Sequence, residues 1–243
     1  MEFSLRRVNA LFKKELKGLP KNKMVFSMCL LPIVFGIVYS NVFSDAAMNE
    51  FIGKSEVLLM CLSMNLVLVS SYIISMLIAE EKEKNTLRTL MLSGVAPLEF
   101  FAGKLLITFI ISEISNIILF FIVGIETRYL GSYVLLTTLV VISMIGIGAA
   151  IGIIAPNQMA TGIIGFPFLI LIIMIPTFAM VNTTLKRVAE FLPNYNMKLI
   201  FDRIMNGETL GRESIIHVVV ILVWIVISVG ISLFAYHKVG LDK

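Results

Sequence analysis

Charged residues are scarce in this 243-residue chain: Asp, Glu, Lys and Arg together make up only 15% of it. Soluble domains usually have about 25% charged residues, whereas 58% of this chain is hydrophobic. Cysteine is also rare, and Cys29 and Cys61 both lie inside apolar runs without the spacing of metal ligands. These absences argue against a water-soluble fold and against a metal-stapled domain. Together with a mean hydropathy of +0.95, they indicate a membrane protein.

Six apolar stretches are long enough to cross a bilayer, whose hydrocarbon core of about 30 Å needs about 20 helical residues. The first stretch follows seven basic residues and lacks a clear small-residue cleavage site, so we expect a span and not a removed signal peptide. We therefore predict an all-α polytopic membrane protein that forms a single transmembrane domain over residues 1–243. The predicted spans are residues 24–43, 57–79, 104–124, 132–155, 162–181 and 215–236.

Lys and Arg are distributed unevenly between the two sides of the predicted bundle. With the N-terminus inside, thirteen of them lie on the inner side and seven on the outer side. Because an excess of Lys and Arg marks the cytoplasmic side, we predict a multi-pass protein of the cell membrane with both termini in the cytoplasm. The basic residues flank the spans instead of forming one stripe, so we expect no nucleic-acid partner.

The N-terminal segment, residues 1–23, has apolar residues at helical spacing, with basic residues filling much of the rest. Such an amphipathic helix lies in the membrane interface with its cations near anionic headgroups, so the lipid bilayer is its expected partner. The alternative is a tail that is merely positive on the inner side. The predicted membrane-surface anchors are Arg6, Arg7, Lys13, Lys14 and Lys17.

The loop between the second and third predicted spans, residues 80–100, begins with a charged run and continues as a short helical pattern. Asn85 or Thr86 is placed to cap a helix over residues 86–92. An exposed apolar ridge on that helix needs a partner groove, unless the helix lies on the protein's own inner face. The predicted ridge consists of Leu87, Leu90 and Met91.

The outer loop, residues 182–214, is longer than a simple connection needs. Apolar residues recur at helical spacing on both sides of Pro193, which predicts two short amphipathic helices. We expect these helices to pack at the outer leaflet. They form either a structural cap or a gate for a transported molecule.

Glu113 lies near the middle of the third predicted span, where an acidic residue costs about 2.5–3.5 kcal/mol on insertion scales. Thr108, Ser112 and Asn116 share its half of the helix, so this polar face is expected to point at protein or at a wet path and not at lipid. Two interpretations stay open. The four residues form either a translocation path for a substrate or ion, or a structural hydrogen-bond network.

The fourth predicted span contains a G-x-x-x-G pattern at Gly148 and Gly152. Gly146 and Ala150 extend the same small face. Small side chains let helices approach closely, so we predict that this face packs against another helix.

Residues 80–104 carry the motifs by which the chain resembles the ABC type-2 transporter permeases, the membrane halves of ATP-driven exporters. The run from Glu80 to Leu90 is similar to that family's acidic-basic run followed by Gly-Thr-Leu, and the run from Ser93 to Phe100 is similar to its small-residue and proline turn. Asn85 stands where the family commonly has Gly, a mild departure because Asn tolerates left-handed backbone. The N-terminal helix, the six spans and the L-P-N-Y-N sequence before the last span also fit the family's plan.

The resemblance implies a coupling helix over residues 86–92 that docks in a cleft of a separate ABC ATPase subunit. The chain has no G-x-x-x-x-G-K-[S/T] phosphate loop, so we expect no catalytic residue, metal or cofactor on it, and ATP and Mg on the partner ATPase. Six spans are half the number that such exporters use, which implies a second permease copy or a paralogue. The expected cargo is small and apolar or amphipathic, such as a drug or a peptide. The implied ATPase-coupling residues are Glu83, Thr86, Leu87, Arg88, Leu90, Met91 and Leu92.

Two other classes of function were weighed against this interpretation. A secondary carrier or channel would use Glu113 as its ion or proton site. An intramembrane enzyme is disfavoured because His217 and His237, the only histidines, lie about 30 Å apart along one helix and cannot share a metal.

Overall fold

The computed structural model describes residues 3–43, 53–209 and 211–239. Throughout this part of the chain the regular structure is helical, with no strand. The α-helices are α1 (Leu5–Gly18), α2 (Lys23–Val42), α3 (Lys54–Glu83), α4 (Thr86–Leu92), α5 (Pro97–Val123), α6 (Leu130–Ile154), α7 (Gln158–Phe178), α8 (Thr183–Ala189), α9 (Pro193–Met205) and α10 (Arg212–Val239).

Six helices of the described residues are long and apolar enough to cross a membrane, namely α2, α3, α5, α6, α7 and α10. This confirms the prediction of an all-α polytopic membrane protein. The helix bounds differ from the predicted spans, most clearly where α5 begins at Pro97 and not at residue 104. A proline fits the first helical position because its missing N–H would have no partner there. Residues 97–100, which were predicted as part of the loop, therefore belong to α5.

α3 is the central helix of the bundle. Of its apolar stretch 83% is buried, against 17% for α2 and for α10 and 28% for α7. Residues Leu66–Tyr72 in the middle of α3 form a π-helical segment. The exposed faces of α2, α7 and α10 are apolar, as expected for helices whose surroundings are lipid.

Gly148 and Gly152 bring α6 into backbone contact with α3. A Cβ atom added at Gly148 would lie 2.1 Å from the Ser71 carbonyl oxygen, and one at Gly152 would lie 2.6 Å from the Ser75 carbonyl oxygen. The Ser71 hydroxyl donates a hydrogen bond to the Met144 carbonyl across the same contact at 2.6 Å. Gly148 and Gly152 therefore pack against a helix as predicted, and their partner is α3. Gly146, which was predicted to extend the same face, instead lies against α10, where an added Cβ would be 2.6 Å from the Ser228 hydroxyl oxygen.

Asparagine side chains fasten α9 to three of the spanning helices. The Asn194 amide donates to the Ser63 hydroxyl of α3 at 2.8 Å and to the Ile172 carbonyl of α7 at 2.9 Å. Asn196 Oδ1 lies 2.7 Å from His217 Nδ1 of α10. The two helices predicted in the outer loop are present as α8 and α9, while their position at a leaflet and their role as a cap or a gate stay predictions.

Candidate functional site

Lys84 and Asn85 form the turn between α3 and α4. Asn85 has φ +54°, in the left-handed region, which Asn adopts more readily than most residues. The Thr86 hydroxyl, at the start of α4, donates a hydrogen bond to the Glu81 carboxylate. The first residue of α4 is thus attached to the last turn of α3. Asn85 therefore has the left-handed backbone that was expected at this position, where the family that the chain resembles commonly has Gly.

Glu81 belongs to a buried ionic network that joins α1, α3 and α5. Lys104 of α5 is 2% exposed, and its Nζ lies 2.7 Å from Glu15 Oε1 and 3.3 Å from Glu81 Oε1. Lys14 of α1 forms an ion pair with the same carboxylate of Glu81. Buried charges are tolerated when they are paired and hydrogen-bonded, as these are. The network holds the end of α3 to the start of α5 and to α1.

A second ion pair fastens α1 to the first turn of α5. Glu99 is fully buried and accepts a bidentate pair of hydrogen bonds from Arg7, at 2.7 Å from Nε and 2.8 Å from Nη2. Its carboxylate also accepts from the backbone N–H groups of Ser4 at 2.6 Å and Ala96 at 3.0 Å. The hydrogen bond to Glu99 raises the pKa of Arg7. The α1 helix is therefore bound to the bundle by charge at both of its ends.

The five predicted anchor residues fall into two groups in the structure. Arg7 and Lys14 are used in the ion pairs with Glu99 and Glu81. Arg6, Lys13 and Lys17 are exposed, and their contact with lipid headgroups stays a prediction. The acidic partners were missed because they lie far away along the chain, so the periodicity of one helix gives no signal for them.

Lys82 and Glu83, the last two residues of α3, contact the short turn between α6 and α7. Lys82 Nζ donates to the carbonyl oxygens of Ile153 at 2.7 Å and Ala155 at 2.6 Å, where α6 ends. Glu83 Oε2 accepts from the backbone N–H of Gln158 at 3.0 Å, where α7 begins. Lys82 was not among the predicted site residues. α1, α4 and the α6–α7 turn thus lie at one end of the bundle, which we call the α4 end.

The predicted coupling residues of α4 are only partly described. Thr86 and Leu90 are half-buried, and the Leu92 side chain is 80% exposed. The side chains of Leu87, Arg88 and Met91 lie outside the described residues, so the predicted ridge is not tested at those positions. Leu98 is 72% exposed at the same end of the bundle. It was missed because the sequence pattern placed it in a turn.

The predicted translocation residues lie on the buried face of α5. Thr108, Ser112 and Asn116 are fully buried, and Glu113 is 8% exposed. Ser112 donates to the Thr108 carbonyl at 2.8 Å, within its own helix. Their burial inside the bundle agrees with the expectation that this face does not point at lipid.

Glu113 and Asn116 each bind a side chain from a neighbouring helix. Glu113 Oε2 accepts from the Thr137 hydroxyl of α6 at 3.0 Å. Asn116 Oδ1 accepts from the Asn65 amide of α3 at 2.7 Å, and the Asn116 carbonyl oxygen lies 3.3 Å from the Tyr133 hydroxyl of α6. The polar face of α5 therefore bonds to both α3 and α6. The sequence could not supply these partners, because Thr137 and Tyr133 are common residues of an apolar helix.

Part of this polar cluster is left without hydrogen bonds of ordinary geometry. Within the described residues, Asn65 Oδ1, Glu113 Oε1 and Asn116 Nδ2 are buried and have no such partner. The described residues also contain no group of three His, Cys, Asp or Glu side chains placed to hold a metal ion. The contacts at the α4 end attach helices to one another through ion pairs, and the contacts inside the bundle are hydrogen bonds between helices.

One family model matches the sequence, and its description is ABC-2 family transporter protein. The match covers residues 49–234, about three quarters of the chain. It begins after α2 and includes α3, α4 and the start of α5, and so Glu81, Glu99 and Lys104, whereas their partners in α1 lie outside it. A search of curated proteins found no match.

Proposed function

We propose that this chain, which belongs to the ABC-2 family of transporter proteins, is the membrane subunit of an ATP-driven exporter. Members of such a family are membrane components of transporters, and a separate ATPase subunit would bind ATP and Mg and hydrolyse the nucleotide. The observation that carries the proposal is α4, a short helix attached at its first residue and bearing a free apolar side chain at its last. The α4 end would face the cytoplasm, in line with the excess of Lys and Arg on that side.

The ATPase would dock on α4 and on the start of α5. Leu92 and Leu98 are both mostly exposed, and they lie on either side of the turn that contains Gly94. Apolar side chains exposed at a water-facing end of a membrane protein are typical of a surface that binds a partner. The partner expected here is the cleft of an ABC ATPase.

A second permease copy, or a paralogue, would complete the transporter. The exposed apolar faces of α2, α7 and α10 support this proposal, because a single bundle leaves these helices mostly uncovered. Lipid covers such faces equally well, so the residues at the seam are not assigned. The sequence-based expectation of a dimer stays a prediction.

The cargo would be small and apolar or amphipathic, such as a drug or a peptide, moving out of the cell. Among the described residues, the connections at the end of the bundle opposite α4 include the short helices α8 and α9 but no separate external domain, which supports a small cargo. Thr108, Ser112, Glu113 and Asn116 stay the candidate path residues. Their burial between α3, α5 and α6 favours a structural hydrogen-bond role within one subunit. An ion or proton site at Glu113, as in a secondary carrier, gains no support from a specific contact.

The docking proposal is tested by replacing Leu92 and Leu98 with Asp in one variant. A carboxylate in an apolar contact loses its hydration without gaining a partner, so we expect the ATPase to be lost from the purified complex. The measurement is the amount of ATPase subunit that co-purifies with the tagged permease in detergent.

Val181→Asp is the matched control, because Val181 is 82% exposed and follows α7, at the end of the bundle opposite α4. It introduces one carboxylate, against two in the test variant, at a similarly exposed apolar position and should leave the ATPase bound. Normal co-purification with the Leu92 and Leu98 variant, at equal amounts of inserted permease, would contradict the docking surface.

A further inference from the structure

Lys82 and Glu83 are neighbours in the chain that hold two oppositely polarised helix ends. The ammonium group of Lys82 binds carbonyl oxygens at the C-terminal end of α6, at 2.6 and 2.7 Å. The carboxylate of Glu83 accepts from the first N–H of α7 at 3.0 Å. We call this pair of contacts the α6–α7 clamp.

Each contact of the clamp satisfies groups that a helix leaves without partners. The last carbonyl oxygens and the first N–H groups of an α-helix have no partner inside it. The C-terminal end of a helix also carries partial negative charge and the N-terminal end partial positive charge, so Lys82 and Glu83 each meet the favourable sign. Asn157 Oδ1 accepts from the Ala160 N–H at 2.9 Å and completes the start of α7. The turn between α6 and α7 is therefore held by Lys82 at the end of α6 and by Glu83 and Asn157 at the start of α7.

The clamp lies at the end of a longer rigid contact between the same helices. Along α6, Gly148 and Gly152 leave no room for a side chain against the carbonyl oxygens of Ser71 and Ser75 in α3. A closely packed contact of this kind leaves little room for the two helices to shift relative to each other. A displacement of the end of α3 should therefore carry α6 and the start of α7 with it.

We propose that Lys82 and Glu83 are positioning residues that transmit movement of α4 to α6 and α7. Only Lys84 and Asn85 separate the clamp from the start of α4, and this inference rests on the proposed docking of an ATPase on α4. Movement of α4 reaches α1 and α5 through Glu81, and it reaches α6 and α7 through the clamp. The charged residues that precede α4 thus connect it to two sets of helices, and they are not a solvated linker.

The test measures whether α7 follows α4 in the complex with the ATPase. Spin labels are placed at Ser93, an exposed residue just after α4, and at Ile163, which is 79% exposed on α7, after Cys29 and Cys61 are replaced by Ala. The distance distribution between the labels is recorded in lipid nanodiscs, without nucleotide and with ATP and vanadate. With the clamp intact, the distribution should stay narrow and its mean should not change on trapping.

The Lys82→Met, Glu83→Met variant, which keeps neither the donors of Lys82 nor the acceptor of Glu83, should lose this behaviour. We expect the mean distance to shift on trapping by about 1–2 Å or more, the scale of helix shifts in switching transitions, with a broader distribution. The matched control is Glu80→Met, Lys84→Met, which makes the same two replacements at an ion pair within the charged run. That control should behave as the parent chain, and Lys82→Arg with Glu83 unchanged should keep the parent distribution because Arg keeps the charge and the donors.

The outcomes separate this inference from the proposed function. Recovery of the complex with unchanged distributions in the Lys82→Met, Glu83→Met variant overturns the inference alone. Equal shifts in that variant and in the Glu80, Lys84 control also overturn it, because the effect then follows charge and not the helix-end contacts. Absence of a co-purifying ATPase with the parent chain overturns both. If the double variant is not recovered from membranes, Glu83→Met alone, which removes the acceptor of the Gln158 N–H, decides by the same measurement.

Discussion

Glu113 shows what a single residue in the sequence could and could not predict. Its type and depth predicted that it faces protein, and the structure places it 8% exposed against Thr137. Its partner could not be predicted, because Thr137 lies on another helix and nothing in the sequence sets the rotation of α6 relative to α5. The burial of Lys104 was not predicted, because it lies at the edge of the predicted third span and its partners Glu15 and Glu81 lie on other helices.

Glu113→Gln should preserve both stability and ATP hydrolysis by the assembled complex. A glutamine can still accept the hydrogen bond from Thr137, and it cannot take up a proton. Glu113→Leu should lower the free energy of unfolding by about 1 kcal/mol, because this bond is lost in a buried site. The readouts are the thermal midpoint in detergent and the ATPase rate.

Ile114→Leu on the same helix is the control for these variants, since Ile114 is 53% exposed. A strong loss of ATP hydrolysis in Glu113→Gln with normal assembly would support the path role instead. Normal stability of Glu113→Leu together with normal activity of both variants would remove Glu113 from the candidate residues.

Lys104→Met should destabilise the protein by about 3 kcal/mol, the lower end of the range for breaking a buried ion pair, because Glu15 and Glu81 lose their buried cation and keep only the half-exposed Lys14. Lys84→Met removes the cation of the more exposed ion pair with Glu80 and should cost about 0–1 kcal/mol. Denaturation followed by tryptophan fluorescence or thermal aggregation compares the two. Similar losses in both variants would mean that the buried network adds nothing beyond a surface ion pair.

At the scale of elements, the helices themselves followed from hydropathy, while their contacts followed only in part. The G-x-x-x-G pattern predicted a close helix contact on α6, and the structure identifies α3 as the partner. The start of α5 at Pro97 was missed, because Pro97 was assigned to the turn before the third span. Proline also fits the first position of a helix, and that is where the structure places it. The π-helical segment of α3 has no counterpart in the residue pattern that would have revealed it.

Gly148→Ala should destabilise the contact between α3 and α6. The new methyl group would lie 2.1 Å from the Ser71 carbonyl oxygen, which is backbone and cannot rotate away. Overpacking of this kind costs about 1–3 kcal/mol. The measurement is the thermal midpoint of the purified permease.

Gly131→Ala is the matched control on the same helix, because nothing lies within 4 Å of the position of its new methyl group. Alanine has the higher helix propensity, so this variant should be neutral or gain up to about 1 kcal/mol. Equal midpoints for the two variants would show that α3 and α6 are not in close contact at Gly148.

At the scale of the whole molecule, one buried helix is surrounded by helices that present apolar faces outwards. The number of spans could be predicted from the sequence, because a helix satisfies its own backbone hydrogen bonds and each long apolar stretch can therefore cross the membrane as one helix. It could not predict that α3 would be the central one, since the spans have similar hydropathy. Their burial differs because of packing contacts such as Gly148 against Ser71, which depend on the arrangement of all the helices.

The long sequence separation within the α1 contacts sets an order of events during synthesis. Glu15 and its partner Lys104 are 89 residues apart. At about 5–20 residues per second, the ribosome makes Lys104 some 4–18 s after Glu15. Until Glu81, which follows its partner Lys14 by 67 residues, has been made, α1 has no ionic partner in the bundle, and its cations are free to associate with anionic headgroups. We expect lipid attachment to come first and the ion pairs with α3 and α5 to replace part of it once the third span has been inserted.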